Sequence, residues 1–249
     1  MMNFKKDVYL FTTENITGYI KELDLDGKTL LTLGSSLDQA YNALLMGANR
    51  VDVFDINVNV EKFHELKSNL ILTHPREELF NEVMNIGFTD DTYPSDRKSA
   101  FIDNLYLQSD DNYELLRNRL LENRIGFING SIFDIGDRLD DKSYDRMILS
   151  NVIQYLEMYS INKDKYKVLK NMFETLKDHL SKEGIIQLLY YFNTYLINGY
   201  KRYDDFFDGY NLDKILDVLS EDDRDCFKLI EFSNDYVGKD AAVLYKKRK

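Results

Sequence analysis

KTLLTLGSSLDQAYNALLMGANRVDVFDIN, running from Lys28 to Asn57, reads as strand, tight turn, helix and second strand. Thr29 to Leu33 is a short apolar, β-prone run that ends at Gly34. Ser35 and Ser36 then supply small polar side chains of the kind that cap a helix N-terminus. Ser35 with Asp38 has the spacing of a capping box, with Asp in place of the usual Glu. Leu37, Ala40, Tyr41, Leu44 and Leu45 form a helical apolar stripe. Gly47 stands where a left-handed residue would end the helix. Val51, Val53 and Phe54 form the next strand, which closes on Asp55, about twenty residues beyond the turn. At that distance a nucleotide-binding βαβ unit places a carboxylate under the ribose hydroxyls.

The turn excludes one class of ligand. A dinucleotide fingerprint needs three glycines so that backbone can approach a pyrophosphate, whereas after Gly34 this chain reads Ser35-Ser36-Leu37-Asp38-Gln39, and Asp38 repels phosphate. NAD and FAD are therefore disfavoured, and with them a nicotinamide dehydrogenase. S-adenosyl-L-methionine has the same adenosine without a pyrophosphate. Its other end is an amino acid, whose ammonium a carboxylate can hold and whose carboxylate a helix N-terminus can hold, so Asp38 suits it. By itself the fragment is equally compatible with an ordinary buried βαβ unit that has a hydrophilic turn.

At 249 residues, 44% of them hydrophobic, the chain has enough apolar material for one large α/β domain spanning 1–249. A formal net charge of −11 argues against a nucleic-acid partner, which needs Lys and Arg clustered on one face. The only basic cluster, Lys246-Lys247-Arg248-Lys249, reads as a solvated tail. One cysteine, Cys226, cannot form an internal disulfide, and the opening MMNFKKDVYLF has no uninterrupted apolar h-region, so a cytoplasmic location is expected. The longest apolar run, Ile185 to Phe192, falls far short of the ~20 residues that span a bilayer, so no integral membrane segment is expected. His64, His74 and His179 are scattered and show no metal-ligand spacing, and no metal is expected.

Along the chain, residues 4–25 carry apolar positions suited to a leading helix, interrupted by Thr12-Thr13-Glu14-Asn15, a polar stretch that either caps it or faces a ligand, with Thr13, Glu14 and Asn15 as substrate-lining candidates. Val60, Phe63, Leu66, Leu70 and Ile71 predict a helix from just after Asn57 to about Thr73. His74 to Asn123 then interrupts the strand–helix alternation as an insertion of two or three helices (74–123). It either lids a substrate or only completes packing. Ile125 to Ile128, Tyr144 to Leu149 and Ile185 to Phe192 are further strands, and Tyr166 to Leu180 and Leu212 to Leu219 are helices. The irregular stretch Asn193 to Tyr210 lines a pocket or simply packs. Cys226 to Phe232 and Ala241 to Lys246 form a closing antiparallel pair.

This alternation, with acids or small polar residues at the ends of its strands, resembles the class I S-adenosylmethionine-dependent methyltransferases. Within them, LTLGSSLDQAYNALLMGANRVDVFDIN and YDRMILSNVIQYL are similar to the diacylglycerol 3-amino-3-carboxypropyltransferases of betaine-lipid synthesis, in which a Ser-x-x-Asp turn replaces the glycine-rich loop and Asp-x-Asn ends the second strand. The resemblance implies a Rossmann-like, seven-stranded, mostly parallel sheet with a terminal antiparallel strand pair and a helical insertion after strand two. It implies that Gly34, Ser35, Ser36 and Asp38 surround the amino-acid end of S-adenosyl-L-methionine. Asp55 and Asn57, with Ile56 between them, would hold the ribose side, and Ser131 and Ile132 would border adenine. Ser150 and Asn151 would line the centre of the site, with Tyr155 beside the sulfonium and His74 among the substrate-lining candidates. Two departures stand out: Thr32 and Leu33 replace the acid common at the end of the first strand, and Ser131 replaces an adenine-reading Asp. The implied activity is an S-adenosylmethionine-dependent transfer to a small-molecule or lipid acceptor. Methyl transfer stands slightly ahead of 3-amino-3-carboxypropyl transfer because the fold more commonly moves methyl groups. The competing class is a non-catalytic binding or sensor protein of the same fold.

Overall fold

The computed structural model describes residues 8–86, 97–123, 125–155, 160, 163–192, 212–219, 224–234 and 238–248. Seven strands form one sheet in the order β3-β2-β1-β4-β5-β7-β6. They are β1 (Thr29–Leu33), β2 (Arg50–Asp55), β3 (Ile125–Asn129), β4 (Tyr144–Ile148), β5 (Leu180–Tyr191), β6 (Phe227–Asn234) and β7 (Gly238–Lys246). The expected α/β class, with a mostly parallel sheet ending in an antiparallel pair, is what the chain adopts. The chain comprises two compact units, residues 1–130 and 131–249.

In the first unit β1 and β3 flank β2 in parallel, with Leu33 beside Phe54 and Asp55 beside Asn129. Leu30, Leu31, Val51, Val53 and Phe54 are buried, the near-continuous apolar content of strands covered on both faces. Helix α1 (Asp38–Leu45) is buried along its whole length. It can be so because the inserted helices α5 (Leu105–Gln108) and α6 (Asp110–Glu122) pack against it. The helix ends as its glycine predicts: Gly47 has φ +91, its N–H bonds Leu44, and the next N–H, from Ala48, reaches Ala43. Helix α2 (Val60–Thr73) follows the second strand with the expected bounds and stops at His74, held extended by the following Pro75.

Two expectations are corrected in this unit. Residues 8–25 form no α-helix; they make two 3-10 turns, Ile16–Gly18 and Ile20–Leu23. The Asn15 side chain accepts from the Gly18 N–H, and Asp24 is left-handed at φ 44, so local turn chemistry overrides a helical apolar spacing. The insertion contains four short helices among the described residues, where two or three were expected: α3 (Arg76–Met84), α4 (Arg97–Asp103), α5 and α6. Ser109 separates the last two, its hydroxyl accepting from the Asn112 N–H as an N-cap.

In the second unit β4 and β5 are parallel, and β5, β7 and β6 are antiparallel neighbours. Short helix α7 (Gly136–Leu139) is followed after β4 by α8 (Lys165–Asp178), where Asp164 caps the Tyr166 and Lys167 N–H groups. The apolar face of α8 buries Leu169, Met172, Phe173 and Leu176, and the Phe173 ring meets Phe227 and Tyr245. Helix α9 (Leu212–Leu219) has the expected bounds. The stretch expected from Asn193 to Tyr210 lies outside the described residues. Among the described residues no helix is long and apolar enough to cross a membrane.

Candidate functional site

The turn after β1 is built on two left-handed residues that are not glycine, Ser35 at φ 35 and Leu37 at φ 66. Such backbone persists only where its surroundings over-determine it, and Asp55 supplies much of that constraint. Its Oδ2 accepts from the Ser35 N–H at 2.8 Å, and its Oδ1 accepts from the Asn57 N–H, also at 2.8 Å. One half-buried carboxylate therefore ties the turn to the loop after β2. Gly34 is what lets it approach. A Cβ there would stand 2.8 Å from Val60 Cγ1 and 3.0 Å from both the Cβ and Oδ2 of Asp55. Around this anchor Asn57 Oδ1 caps the Asn59 N–H, and Ile56 projects with 58% of its surface exposed.

The expected capping box does not form. Leu37 is the N-cap residue and offers no side-chain cap, while Ser36 Oγ accepts from the Asp38 N–H at 3.4 Å. The Asp38 carboxylate turns inward and is wholly buried. Oδ1 accepts from Lys67 Nζ at 2.7 Å and from the Tyr106 hydroxyl at 2.8 Å; Oδ2 accepts from the Thr12 N–H at 2.6 Å. Where a ligand's ammonium was expected, the chain provides its own. Lys67 also donates to the Leu10 carbonyl at 2.7 Å and the Ser36 carbonyl at 2.9 Å, using three donors in a wholly buried position 4.4 Å from the centre of the Phe11 ring. Burial pushes the Lys67 pKa down, and the charge of Asp38 and the bond to it oppose that shift. Burial, reinforced by the negative charge of Asp38, raises the Tyr106 phenol well above its usual value, so the hydroxyl stays protonated and donates.

Other candidates of the first unit have local partners. Thr13 is exposed. Glu14 is buried, and its carboxylate accepts from Tyr19 and Gln39 at 3.4 Å each. Asn15 caps the first 3-10 turn and accepts from the Thr17 hydroxyl. His74 ends α2, its carbonyl accepting from the Tyr113 hydroxyl, which joins the start of the insertion to α6.

The second unit holds the remaining candidates. Ser131 accepts from the Phe133 N–H and caps a 3-10 turn that begins at buried Ile132. Ser150, just past β4, is left-handed at φ 59, and its N–H donates to Gln187 Oε1 at 2.8 Å. Asn151 is half-buried beside it, with its Oδ1 3.4 Å from Ser150 Oγ. Tyr155 closes the turn Val152–Tyr155, and its side chain lies outside the described residues.

Lys67 and Tyr106 are the residues that sequence reasoning missed, and Thr12, read there as part of a cap or ligand-facing stretch, serves through its backbone N–H. A signal for Lys67 was present. The buried positions of α2 are 60, 63, 67 and 71, an unbroken helical face with a lysine in its third place, whereas Leu66, expected on that face, is 43% exposed. A lysine on the core face of a helix calls for a buried acid, and Asp38 was at hand. Tyr106 carried no comparable mark.

No protein-family model matches the chain, and no curated protein matches its sequence. Among solved structures it is similar to the N-methyltransferase NodS from Bradyrhizobium japonicum WM9 (8% identity, 92% of this chain and 93% of that one, TM-score 0.47). It is also similar to a putative S-adenosylmethionine-dependent methyltransferase from Listeria monocytogenes (12% identity, 94% and 99%, TM-score 0.46). A third is the rRNA methyltransferase aviRa from Streptomyces viridochromogenes (16% identity, 94% and 82%, TM-score 0.44). These are distant likenesses, and the assignment to an α/β fold with a seven-stranded, mostly parallel sheet rests on the strand order itself.

Proposed function

We propose that the turn Gly34–Leu37 and the loop Asp55–Asn57 bind S-adenosyl-L-methionine, and that the chain is a transferase using it. The observation that carries this reading is the pair of hydrogen bonds through which Asp55 holds the Ser35 and Asn57 amides. They join the polar turn after β1 to the carboxylate that closes β2, the two features expected to meet the ligand. Exposed Ile56, between Asp55 and Asn57, offers an apolar ledge for a purine. Asp38 enters the reading as the residue that shapes the turn. Ser131, Ile132, Ser150 and Asn151 enter it as candidates for single substitution, as do Thr13, Glu14, Asn15, His74 and Tyr155.

When bound, the sulfonium supplies a carbon made electrophilic by its departing sulfur. The chain's part is to fix the adenosine and leave the acceptor in line with that carbon, so transfer can run on proximity and orientation without a dedicated acid or base. The acceptor is a small molecule or lipid, and methyl transfer stands slightly ahead of 3-amino-3-carboxypropyl transfer. Because Asp38 is occupied by Lys67, Tyr106 and Thr12, it does not fix the amino-acid arm. The choice between the two carbons therefore turns on where the acceptor approaches.

Calorimetry with S-adenosylmethionine and S-adenosylhomocysteine tests the ligand. No heat and no thermal shift at millimolar concentration removes the reading, and binding of NADH instead revives a dehydrogenase. Incubation with candidate acceptors, followed by mass spectrometry of the adenosyl product, tests the reaction. S-adenosylhomocysteine marks methyl transfer, and methylthioadenosine above the uncatalysed background marks aminocarboxypropyl transfer. Binding with neither product supports a non-catalytic binder or sensor.

A further inference from the structure

The insertion is hydrogen-bonded to the turn that the proposed function assigns to the ligand. The link runs from the Tyr106 hydroxyl to Asp38 Oδ1 (2.8 Å), from the same oxygen to Lys67 Nζ (2.7 Å), and from Lys67 to the Ser36 carbonyl (2.9 Å). Ser36 lies between the two left-handed residues of the turn, Ser35 and Leu37. A second link, Asn42 Nδ2 to Asn104 Oδ1 at 2.8 Å, joins the insertion to α1 without touching the Asp38 carboxylate.

We propose that Tyr106 is a positioning residue through which the insertion sets the conformation of the ligand-binding turn. Strained backbone at Ser35 and Leu37 is held by contacts on both sides, Asp55 on the strand side and the Asp38–Lys67 pair on the buried side. Tyr106 alone among the donors to Asp38 comes from the insertion. Moving the insertion away leaves Asp38 Oδ1 with Lys67 alone and loosens the grip on the Ser36 carbonyl. By reciprocity, a ligand that orders the turn tightens the insertion. The second half of this inference rests on the proposed ligand, and the first does not.

The test is native-state hydrogen exchange on the full chain and on Tyr106→Phe, which removes one oxygen and keeps the ring. Without ligand, the Thr12, Leu37 and Asp38 amides should exchange at least about tenfold faster in the variant, while those of β2 stay unchanged. Asn104→Ala, which cuts the second link and leaves the 2.7 Å bond from Asn42 Nδ2 to the Asp38 carbonyl in place, should loosen α5 and leave the Thr12 amide as it was. Equal exchange in wild type and Tyr106→Phe, or acceleration spread evenly over residues 8–130, overturns the proposal. If Tyr106→Phe does not fold, Asn104→Ala decides it: acceleration of the Thr12 amide there means that the turn is not set through Asp38. Adding S-adenosylhomocysteine should then slow exchange in α5 and α6 of the wild type and not of Tyr106→Phe. Slowing of equal size in both overturns the coupling. If the wild type does not bind the ligand, the cofactor reading fails while the ligand-free comparison still decides the role of Tyr106.

Discussion

Lys67 and Asp38 form a salt bridge of 2.7 Å in which neither side chain has any exposed surface. The pair joins the middle of α2 to the first residue of α1. Through its other bonds it fixes the Leu10 and Ser36 carbonyls and the Thr12 N–H. A buried pair gains little over a well-packed apolar pair, because desolvation offsets the attraction, but losing one partner strands a charge.

Lys67→Met should therefore destabilise the chain by about 3–5 kcal/mol, since it leaves the Asp38 carboxylate buried without its cation. Adding Asp38→Asn should restore part of the loss. Urea unfolding of the two single variants and the double variant measures this. Losses that simply add would show that the two side chains are not coupled.

Gly34→Ala places a methyl group 2.8 Å from Val60 Cγ1 and 3.0 Å from Asp55 Oδ2. Overpacking of this kind costs about 1–3 kcal/mol, and here the strain falls on the bond that holds Ser35. The melting temperature should fall, and S-adenosylhomocysteine affinity in calorimetry should fall with it. Unchanged affinity would separate the turn from the ligand.

Asp55→Ala removes the acceptor for both the Ser35 and Asn57 N–H groups. Each donor left without a partner costs about 1–3 kcal/mol where water cannot reach it. Stability and ligand binding should both suffer. Asp55→Asn, which keeps one acceptor oxygen, should retain more of the stability than of the binding, as thermal melts and calorimetry on the two variants would show.

His64 stacks on Tyr41 and meets the tilted ring of Phe127, and its buried Nε2 meets no hydrogen-bond partner among the described residues. Burial lowers its pKa from 6.5 to about 4. Below 6.5 the unfolded chain takes up a proton that the folded one refuses, so this group's effect is to reduce stability as pH falls from 6.5 towards 4. The loss is at most about 3 kcal/mol. Urea midpoints at pH 7 and pH 4.5 should differ by less in His64→Phe than in the wild type, and an identical pH response in the two would rule the histidine out.

The burial of three tyrosines acts at the opposite end of the scale. Tyr19, Tyr41 and Tyr106 are fully buried, and burial raises each phenol above its ordinary value of 10.0. The folded chain holds these protons while the unfolded chain releases them, so their contribution is complete below pH 10 and is lost as pH rises beyond it. Stability followed by circular dichroism should drop on the alkaline side, and a flat response there would contradict their burial.

The sequence by itself determined the run from the first strand to the end of α2. Thr29–Leu33, the helix ending before Gly47, the strand closing on Asp55 and the α2 helix ending at Thr73 are short-range matters of apolar period, cap chemistry and the Pro75 constraint. It also marked Gly34 and Asp55 as a pair, although their closeness in space, which leaves no room for a Cβ, is a tertiary fact. Tertiary structure alone decided what Asp38 does. In sequence it is an acid near a helix N-terminus, open to a cap or a ligand. In the fold, two left-handed residues, a lysine 29 positions later and a tyrosine 68 positions later enclose it. The physical reason is range: a buried charge is settled by whichever opposite charge and donors the packing brings within 3 Å, and no local pattern specifies which those are.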